Sequence, residues 1–277
     1  MSYTRKQLLA IADELTRAYE RGELALTSAI LAGTGTSWRQ AFNRQQREQI
    51  RRILHELERA TRRWQVGRVP ELYLQGRSIV TPGILAGGMK LEFAQLHEGA
   101  VQAISENLAL KLGEARFTVG RQAEDVFRKA GMQAAQEGFV QGKTARQVRR
   151  KIVRDLTADG ITGFTDKAGK QWTLSSYAEM VSRTTTIEAT DAGMMGQMQE
   201  EGYDLMRVDA HAGTCPKCAP WEGRVLSLSG RTRGYPTLAD AKAAGFRHPN
   251  CSHDLAAVSA DYGREIAQQH EAQLQPA

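Results

Sequence analysis

All three cysteines of this 277-residue chain fall in one short window, and the 214 residues before it contain none. Cys215-Pro-Lys-Cys218 comes first. His248-Pro-Asn-Cys251-Ser-His253 follows, with residues 219–247 between the two clusters. A C-x2-C pair offers two thiolates from one tight turn, and zinc takes four tetrahedral ligands drawn from Cys sulfur and His nitrogen. The H-x2-C half supplies the other two, so a Cys3His centre would pin two distant loops together. Four protein ligands close the shell, which points to a structural ion before a catalytic one. A Cys215–Cys218 disulfide would strand the third cysteine.

The histidine of the set stays open. His248 comes first by spacing, then His253, then His211. Zinc deaminases pair H-x-E with P-C-x-x-C, but His211-Ala-Gly213 lacks the glutamate and Glu222 lies after the cysteines, so that chemistry is rejected. An HNH-type nuclease combines zinc cysteines with His and Asn. His248, Asn250 and His253 supply those types, without an Asp-His pair on a preceding hairpin strand. Asp209 and His211 are the remaining acid and base near the cluster, and both read more simply as a strand-end carboxylate and a supporting histidine. Arg183, Glu188 and Asp191 share a helix and are expected to form ion pairs beside the metal-bearing domain.

The formal net charge is +6, and its location matters more than its size. From Arg39 to Arg68 there are nine arginines against three glutamates, so this segment carries the whole excess. Guanidinium groups bind phosphate bidentately and stay charged. Arg44, Arg47, Arg51, Arg52, Arg59, Arg62 and Arg63 are the candidate nucleic-acid contacts. The alternatives are a solvated face or a surface for an acidic protein. No aromatic interleaving supports base readout, so any DNA contact is non-specific. No stretch approaches the ~20 apolar residues of a membrane span, and the first residues lack a signal-peptide core.

Periodicity predicts one or two helices over 3–33, with Leu8, Leu9, Ile11, Ala12 and Leu15 on one stripe. A long helix is expected over 37–66, with Ile50, Ile53, Leu54, Leu57 and Trp64 inward. Thr81-Pro82-Gly83 and Gly87-Gly88 interrupt the next segment. Helices resume near Met89, with breaks near Gly113–Gly120, and run to about Gly142. Thr144-x-x-Gln147 starts another, ending at Asp159-Gly160. The texture then changes. A β-hairpin is expected over 161–174, then a helix capped by Ser176-x-x-Glu179 with Met180, Ile187, Met194 and Met198 inward. Strands are expected at Asp204–Asp209 and Arg224–Leu228, with a turn at Trp221–Gly223 and a short helix over Thr237–Ala244. The fold class is therefore a mainly α N-terminal region plus a small α+β C-terminal domain stapled by a Cys3His zinc site. The expected organisation is 1–159 helical, with the arginine-rich helix at about 37–68, then 160–260 as the α+β domain and 261–277 as a polar tail.

The run Gly163-Phe-Thr-Asp-Lys-Ala-Gly-Lys-Gln-Trp-Thr-Leu-Ser-Ser-Tyr-Ala-Glu-Met-Val-Ser-Arg-Thr184 resembles the minor capsid (minor head, head morphogenesis) proteins of tailed bacteriophages. So do Cys215-Pro-Lys-Cys-Ala-Pro-Trp-Glu-Gly-Arg-Val225 and the later His248-Pro-Asn-Cys-Ser-His253. The resemblance covers roughly 140–255; family members commonly carry Arg where Ser252 stands here. It implies a virion component in the capsid interior or at the portal vertex, assembled in the host cytoplasm. Its implied partners are portal and capsid proteins and double-stranded DNA bound without sequence preference, with no membrane. The expectation is a non-enzymatic structural protein holding structural Zn2+. The alternatives are a metal-dependent nuclease or hydrolase built on the Cys/His cluster, and a host DNA-binding regulator with sequence preference.

Overall fold

The computed structural model describes residues 3–33, 44–80, 95–140, 162–166, 168–211, 213–251 and 253–258, with side chains omitted at 31–33, 44–45, 95–97, 124 and 126–140. Expectations for 37–43, the Pro82 and Gly87–Gly88 joint, the Thr144 helix and the tail after Tyr262 lie outside the described residues. What is described is mainly helical, with a small strand-bearing C-terminal region.

Helix α1 (Arg5–Gly33), α2 (Arg44–Val80), α3 (Gln95–Val140) and α4 (Leu174–Glu200) make up most of it. The α1 stripe is Ile11, Ala12, Leu15 and Tyr19, all buried. Its first turn is closed by Thr4 and Gln7. The Thr4 N–H donates to Gln7 Oε1 (2.8 Å) and the Gln7 N–H to Thr4 Oγ1 (3.3 Å), a reciprocal capping box. In α2, Ile50, Ile53, Leu57 and Trp64 are buried as periodicity predicts, and Leu54 is half-buried. The helix does not stop at 66. It runs through Pro70 to Val80, because Val69, Leu72 and Tyr73 continue the buried face and packing outweighs the hydrogen bond that proline removes. Nor does α3 break near Gly113–Gly120. Gly120 stays helical, and Leu54 lies against the space where its Cβ would stand.

Two compact units divide the chain, and helices α1 to α4 each contribute to both. Residues 10–66 and 106–182 form one. Its centre is a small polar knot. The Tyr19 and Thr61 hydroxyls are 2.9 Å apart, Arg116 Nη1 donates to Tyr19 Oη (2.9 Å), and Trp64 Nε1 donates to Ile11 O (2.9 Å). The expected hairpin is present as β1 (Phe164–Thr165) and β2 (Gln171–Trp172), antiparallel. Asp166 organises its turn by accepting from the backbone of Ala168 and Lys170 and from Trp172 Nε1. The α4 cap is Thr173, not Ser176. The Ser176 N–H donates to Thr173 Oγ1 and the Thr173 N–H to Ser176 Oγ. Glu23 also accepts the Ser175 N–H (2.9 Å), placing a carboxylate at this helix N-terminus.

The other unit comprises 1–9, 67–105 and the chain from Arg183 onward. Here α2 and α4 cross with their backbones in contact. A Cβ on Gly76 would lie 1.9 Å from Thr190 O, and one on Gly193 would lie 1.8 Å from Tyr73 O. Arg77 closes the crossing with a two-pronged contact to Glu200 (3.1 and 2.7 Å). The inward face of α4 buries the small residues Ala178, Val181, Thr185 and Ala189, then Met194 and Met198 as expected. Met180 and Ile187, expected inward, are half-buried.

Strands β3 (Leu205–Val208), β4 (Val225–Ser227) and β5 (Leu255–Val258) form an antiparallel sheet in the order β4-β3-β5. Helix α5 (Leu238–Ala243) opens with a Thr237–Asp240 capping box and closes at Gly245, whose φ of +96° suits glycine. Met198, Met206, Val208, Leu226, Leu238, Phe246 and Leu255 share one core with Cys218 and Cys251. Asp204, just before β3, accepts from Ser227 Oγ (2.7 Å), Ser229 Oγ (2.6 Å) and Thr232 Oγ1 (2.7 Å), and from the Ser229 and Thr232 N–H groups. Burial opposes its ionisation, but those hydrogen bonds from Ser229, Ser227 and Thr232 hold its carboxyl well below the usual range.

Candidate metal centre

The first half-site is made by local backbone geometry. The Cys218 and Ala219 N–H groups both donate to Cys215 O at 3.0 Å, and a 3-10 turn follows at Ala219–Trp221. This folds Cys215-Pro-Lys-Cys218 into one tight turn with both sulfurs on the same side. The second half-site repeats the device, with the Cys251 N–H donating to His248 O (2.9 Å). Arg247 and Asn250 flank it in left-handed conformation, at φ 60° and 63°. Such a backbone costs about 1–3 kcal/mol for a non-glycine residue and needs support. Arg247 provides it: its guanidinium binds Asp191 Oδ1 (2.7 Å) on α4 and donates to the His253 carbonyl. The Asp191 pairing is therefore with Arg247 across the fold, where an ion pair within α4 was expected. Burial pushes the Asp191 carboxyl up to about 6 against the pull of Arg247.

The turns bring five donors together: Cys215, Cys218 and His248 form one set, Cys218, Cys251 and His253 another, each with ligand atoms within 4.8 Å of one another. Zinc bond lengths imply tetrahedral edges of about 3.8 Å for S···S and about 3.6 Å for S···N. Cys218 Sγ lies 3.9 Å from Cys251 Sγ, and Cys251 Sγ lies 3.5 Å from His253 Nδ1. Cys215 Sγ and His248 Nε2 are closer, at 3.0 Å. The Cys218–Cys251 and Cys251–His253 separations match those edges, the Cys215–His248 one is shorter, and the two sets share only Cys218.

Both histidines face the sulfurs with a bare nitrogen, a tautomer assigned here from their partners. His248 Nδ1 is 2.8 Å from the Pro249 carbonyl, which only accepts, so Nδ1 holds the proton and Nε2 is left toward Cys215. His253 Nε2 is 2.9 Å from Glu222 Oε1, so its proton sits there and Nδ1 is left toward Cys251. Glu222 is itself held: it accepts the Thr214 hydroxyl and the His211 N–H (3.1 Å). Those hydrogen bonds, with His253, bring its carboxyl down to about 2 despite burial. A carboxylate fixing a ligand histidine in this manner is the usual support of a metal site.

Burial separates the two histidines, His253 being 3% exposed and His248 half-exposed. The thiols differ too. Burial and the neighbouring sulfurs push Cys218 up to about 12. Burial raises Cys215, but hydrogen bonds from the Cys218 and Lys217 backbone outweigh it and bring the thiol down to about 7. A divalent cation reverses the cost of a buried thiolate, since coordination deprotonates the thiol outright.

His211 packs on His253, ring centroids 4.3 Å apart, and lies with it and Glu222 in a third cluster. Asp209, the candidate acid, pairs with Arg207 (2.8 Å). Sequence reasoning set Glu222 aside as a turn residue and missed Thr214 and the Arg247–Asp191 brace. The only signal was chemical type, a carboxylate a few residues after a C-x2-C.

The arginines belong to the other compact unit. Arg47, Arg51, Arg52, Arg59, Arg62 and Arg63 are exposed on α2, and the Arg44 side chain lies outside the described residues. At about 100° per residue, Arg51, Arg52, Arg59, Arg62 and Arg63 share an arc of about 120° opposite Ile50, Ile53, Leu57 and Trp64. Among the described residues, no helix is long and apolar enough to cross a membrane.

The comparisons with known proteins agree with this layout. A structural protein of Lactococcus phage LL-H is 29% identical over 122 residues, which cover 41% of this chain. The aligned region spans 33% of that relative's length. No solved structure matches. The model of the phage minor capsid protein 2 family matches residues 41–275, taking in α2 and α3, the small sheet and both halves of the Cys/His cluster, and the chain belongs to that family.

Proposed function

We propose that this chain is a non-enzymatic structural component of a tailed-phage head, placed in the capsid interior near the portal. The observation that carries the reading is the gathering of all three cysteines and two histidines into two sets that share Cys218, at the hydrophobic core of a chain of this family. Cys215, Cys218 and Cys251 with one histidine would hold a structural Zn2+. In small modules such an ion contributes folding free energy on the order of 10 kcal/mol. It would tie the loop before β4 to the loop before β5 and so fix the sheet. Replacing Cys218 by Ser then removes bound zinc and the first thermal transition to be lost is that of the sheet-bearing unit. Unchanged zinc content and an unchanged melt would sink the reading.

The exposed arginine arc is the proposed DNA contact. From Arg51 to Arg63 it extends about 18 Å along α2, at 1.5 Å per residue. Each phosphate neutralised adds about 0.9 to the salt slope of binding. Exchanging Arg52, Arg59, Arg62 and Arg63 for Gln is expected to lower that slope by about 3 to 4 in a gel-shift salt series, uniformly across sequences. The same gel, run with supercoiled plasmid and added metal, tests the enzymatic alternative. An intact, salt-sensitively shifted plasmid fits a head protein. Metal-dependent nicking lost in His211→Ala would make the cluster an active site.

A further inference from the structure

Helices α2 and α3 enclose a second feature that the arginine arc does not absorb, a groove of about 210 Å³. Its floor is apolar, made by Ile50 and Leu54 of α2 and by Gly120 of α3. Gly120 gives it depth: a Cβ there would come within 3.0 Å of Leu54 Cδ1. Phe117 forms a wall and is 65% exposed, with the Arg121 guanidinium over its ring at 5.6 Å. Four guanidiniums surround this floor, from Arg47, Arg51, Arg116 and Arg121, and among the described residues no carboxylate lines it. Arg116 is fixed in place by donating to the hydroxyl oxygens Tyr19 Oη (2.9 Å) and Thr61 Oγ1 (3.3 Å).

A phosphate backbone matches the rim but gains nothing from the floor, since aliphatic side chains offer it neither charge nor hydrogen bonds. An apolar side chain matches the floor but leaves the rim unused. The combination fits one ligand class. We propose that this groove docks an acidic amphipathic helix of a protein partner. One apolar side chain seats on Ile50 and Leu54 against Phe117. Carboxylates one turn to either side of it meet the arginines of the two walls. Helical spacing of i, i+3 and i+4 puts such groups on a single face, and the apolar anchor sets register while the charges select partner and orientation. Arg51 belongs to both the arc and the groove; what the groove adds is an apolar floor between α2 and α3. The inference depends on neither the zinc nor the DNA reading.

Fluorescence anisotropy on the full chain tests it, with three probes. They are a short labelled helical peptide of Glu, Ala and Leu with Leu at i, i+3, i+4 and i+7, a scrambled peptide of the same composition, and a DNA duplex. The patterned peptide is expected to bind about tenfold or more tightly than the scrambled one, and Phe117→Ser and Arg121→Glu each to weaken it about tenfold. Both replaced side chains are exposed, and an unchanged thermal melt verifies that the variants fold. Val66→Ser removes an apolar residue that is 69% exposed and outside the groove, and is expected to leave peptide binding unchanged. Equal binding of patterned and scrambled peptides overturns the proposal in favour of bulk charge. Duplex affinity that falls with Phe117→Ser, with no patterned-peptide binding, overturns it in favour of a nucleic-acid groove.

Discussion

Placing a methyl group at Gly193 tests the α2–α4 crossing directly. The alanine Cβ would stand 1.8 Å from Tyr73 O and 2.8 Å from Tyr73 C, both backbone atoms. Real Cβ contacts essentially never fall under 3.0 Å, and a carbonyl inside a helix cannot rotate away as a side-chain tip would. The helices must therefore part locally by about 1.2 Å, which puts the substitution at the upper end of the ~1–3 kcal/mol cost of overpacking. Alanine's better helix propensity offsets at most ~1 kcal/mol. The net expectation is a loss of about 2 kcal/mol. Gly76→Ala meets Thr190 O at 1.9 Å and is expected to cost about the same. The two glycines face each other's backbones across one crossing, so the double variant should lose less than the sum, because the first methyl already parts the helices. Gly67 is the control. It lies in the same helix with nothing within 4 Å of its would-be Cβ, so Gly67→Ala should gain about 0.5–1 kcal/mol from propensity alone. Urea midpoints at constant m-value read all four variants. Gly193→Ala within 0.5 kcal/mol of the parent, or strict additivity of the pair, would refute the close crossing (the threshold being the usual scatter of about 0.5 kcal/mol for neutral substitutions).

Glu222→Gln keeps shape but weakens the acceptor that fixes His253, so zinc affinity should fall about 10- to 100-fold in a chelator competition while the fold is retained. An unchanged affinity would mean that Glu222 does not orient a ligand. His253→Ala should lower affinity more than His248→Ala, since His253 is buried and carboxylate-supported; the reverse order in the same competition would make His248 the fourth ligand. Asp204→Asn replaces an acceptor of five hydrogen bonds by a half-donor and should cost about 2–3 kcal/mol at neutral pH. The folded pKa of Asp204 is depressed, so its contribution is fully present above the unfolded value of about 3.9 and is lost as pH falls below it. The variant should therefore show a flatter stability profile below pH 4 in acid titrations followed by circular dichroism, and a parallel pair of profiles would count against the anion hub.

Local signals served well where one residue type settles the outcome. Most of the α1 and α2 stripes, the hairpin, strands β3 and β4 and the short helix over Thr237–Ala244 were legible because period or turn chemistry fixed them. That cysteines and histidines cluster was legible from their spacing, but the pairing was not: His248 lies with Cys215 and Cys218, and His253 with Cys218 and Cys251. Three further things were not legible. Gly113 and Gly120 looked like helix breaks, because propensity says nothing about a neighbour such as Leu54 that fills the missing Cβ. On the inward face of α4, Met194 and Met198 are buried as expected, but Met180 and Ile187 are only half-buried, because the contact with α2 is made by small residues around Gly193. Strand β5 went unread since Leu255-Ala-Ala-Val258 has little β-propensity and forms by pairing with β3, some fifty residues earlier. Glu222 and Arg247 belong with it: their roles depend on partners that only the tertiary fold supplies.

The place of β5 in the chain has a consequence for synthesis. Strand β3 is flanked on one side by β4, made about twenty residues later, and on the other by β5, which is made last and begins two residues after His253. As the chain leaves the ribosome, one edge of β3 therefore stays open through the making of residues 228–254. Open edges pair with other chains, and many copies of a head protein are made at once in an infected cell. The brackets Arg247–Asp191 and Arg247–His253 then act as a latch that delivers β5 to its edge as soon as it emerges. A chain without that latch keeps the β3 edge open and is the one expected to join others edge to edge.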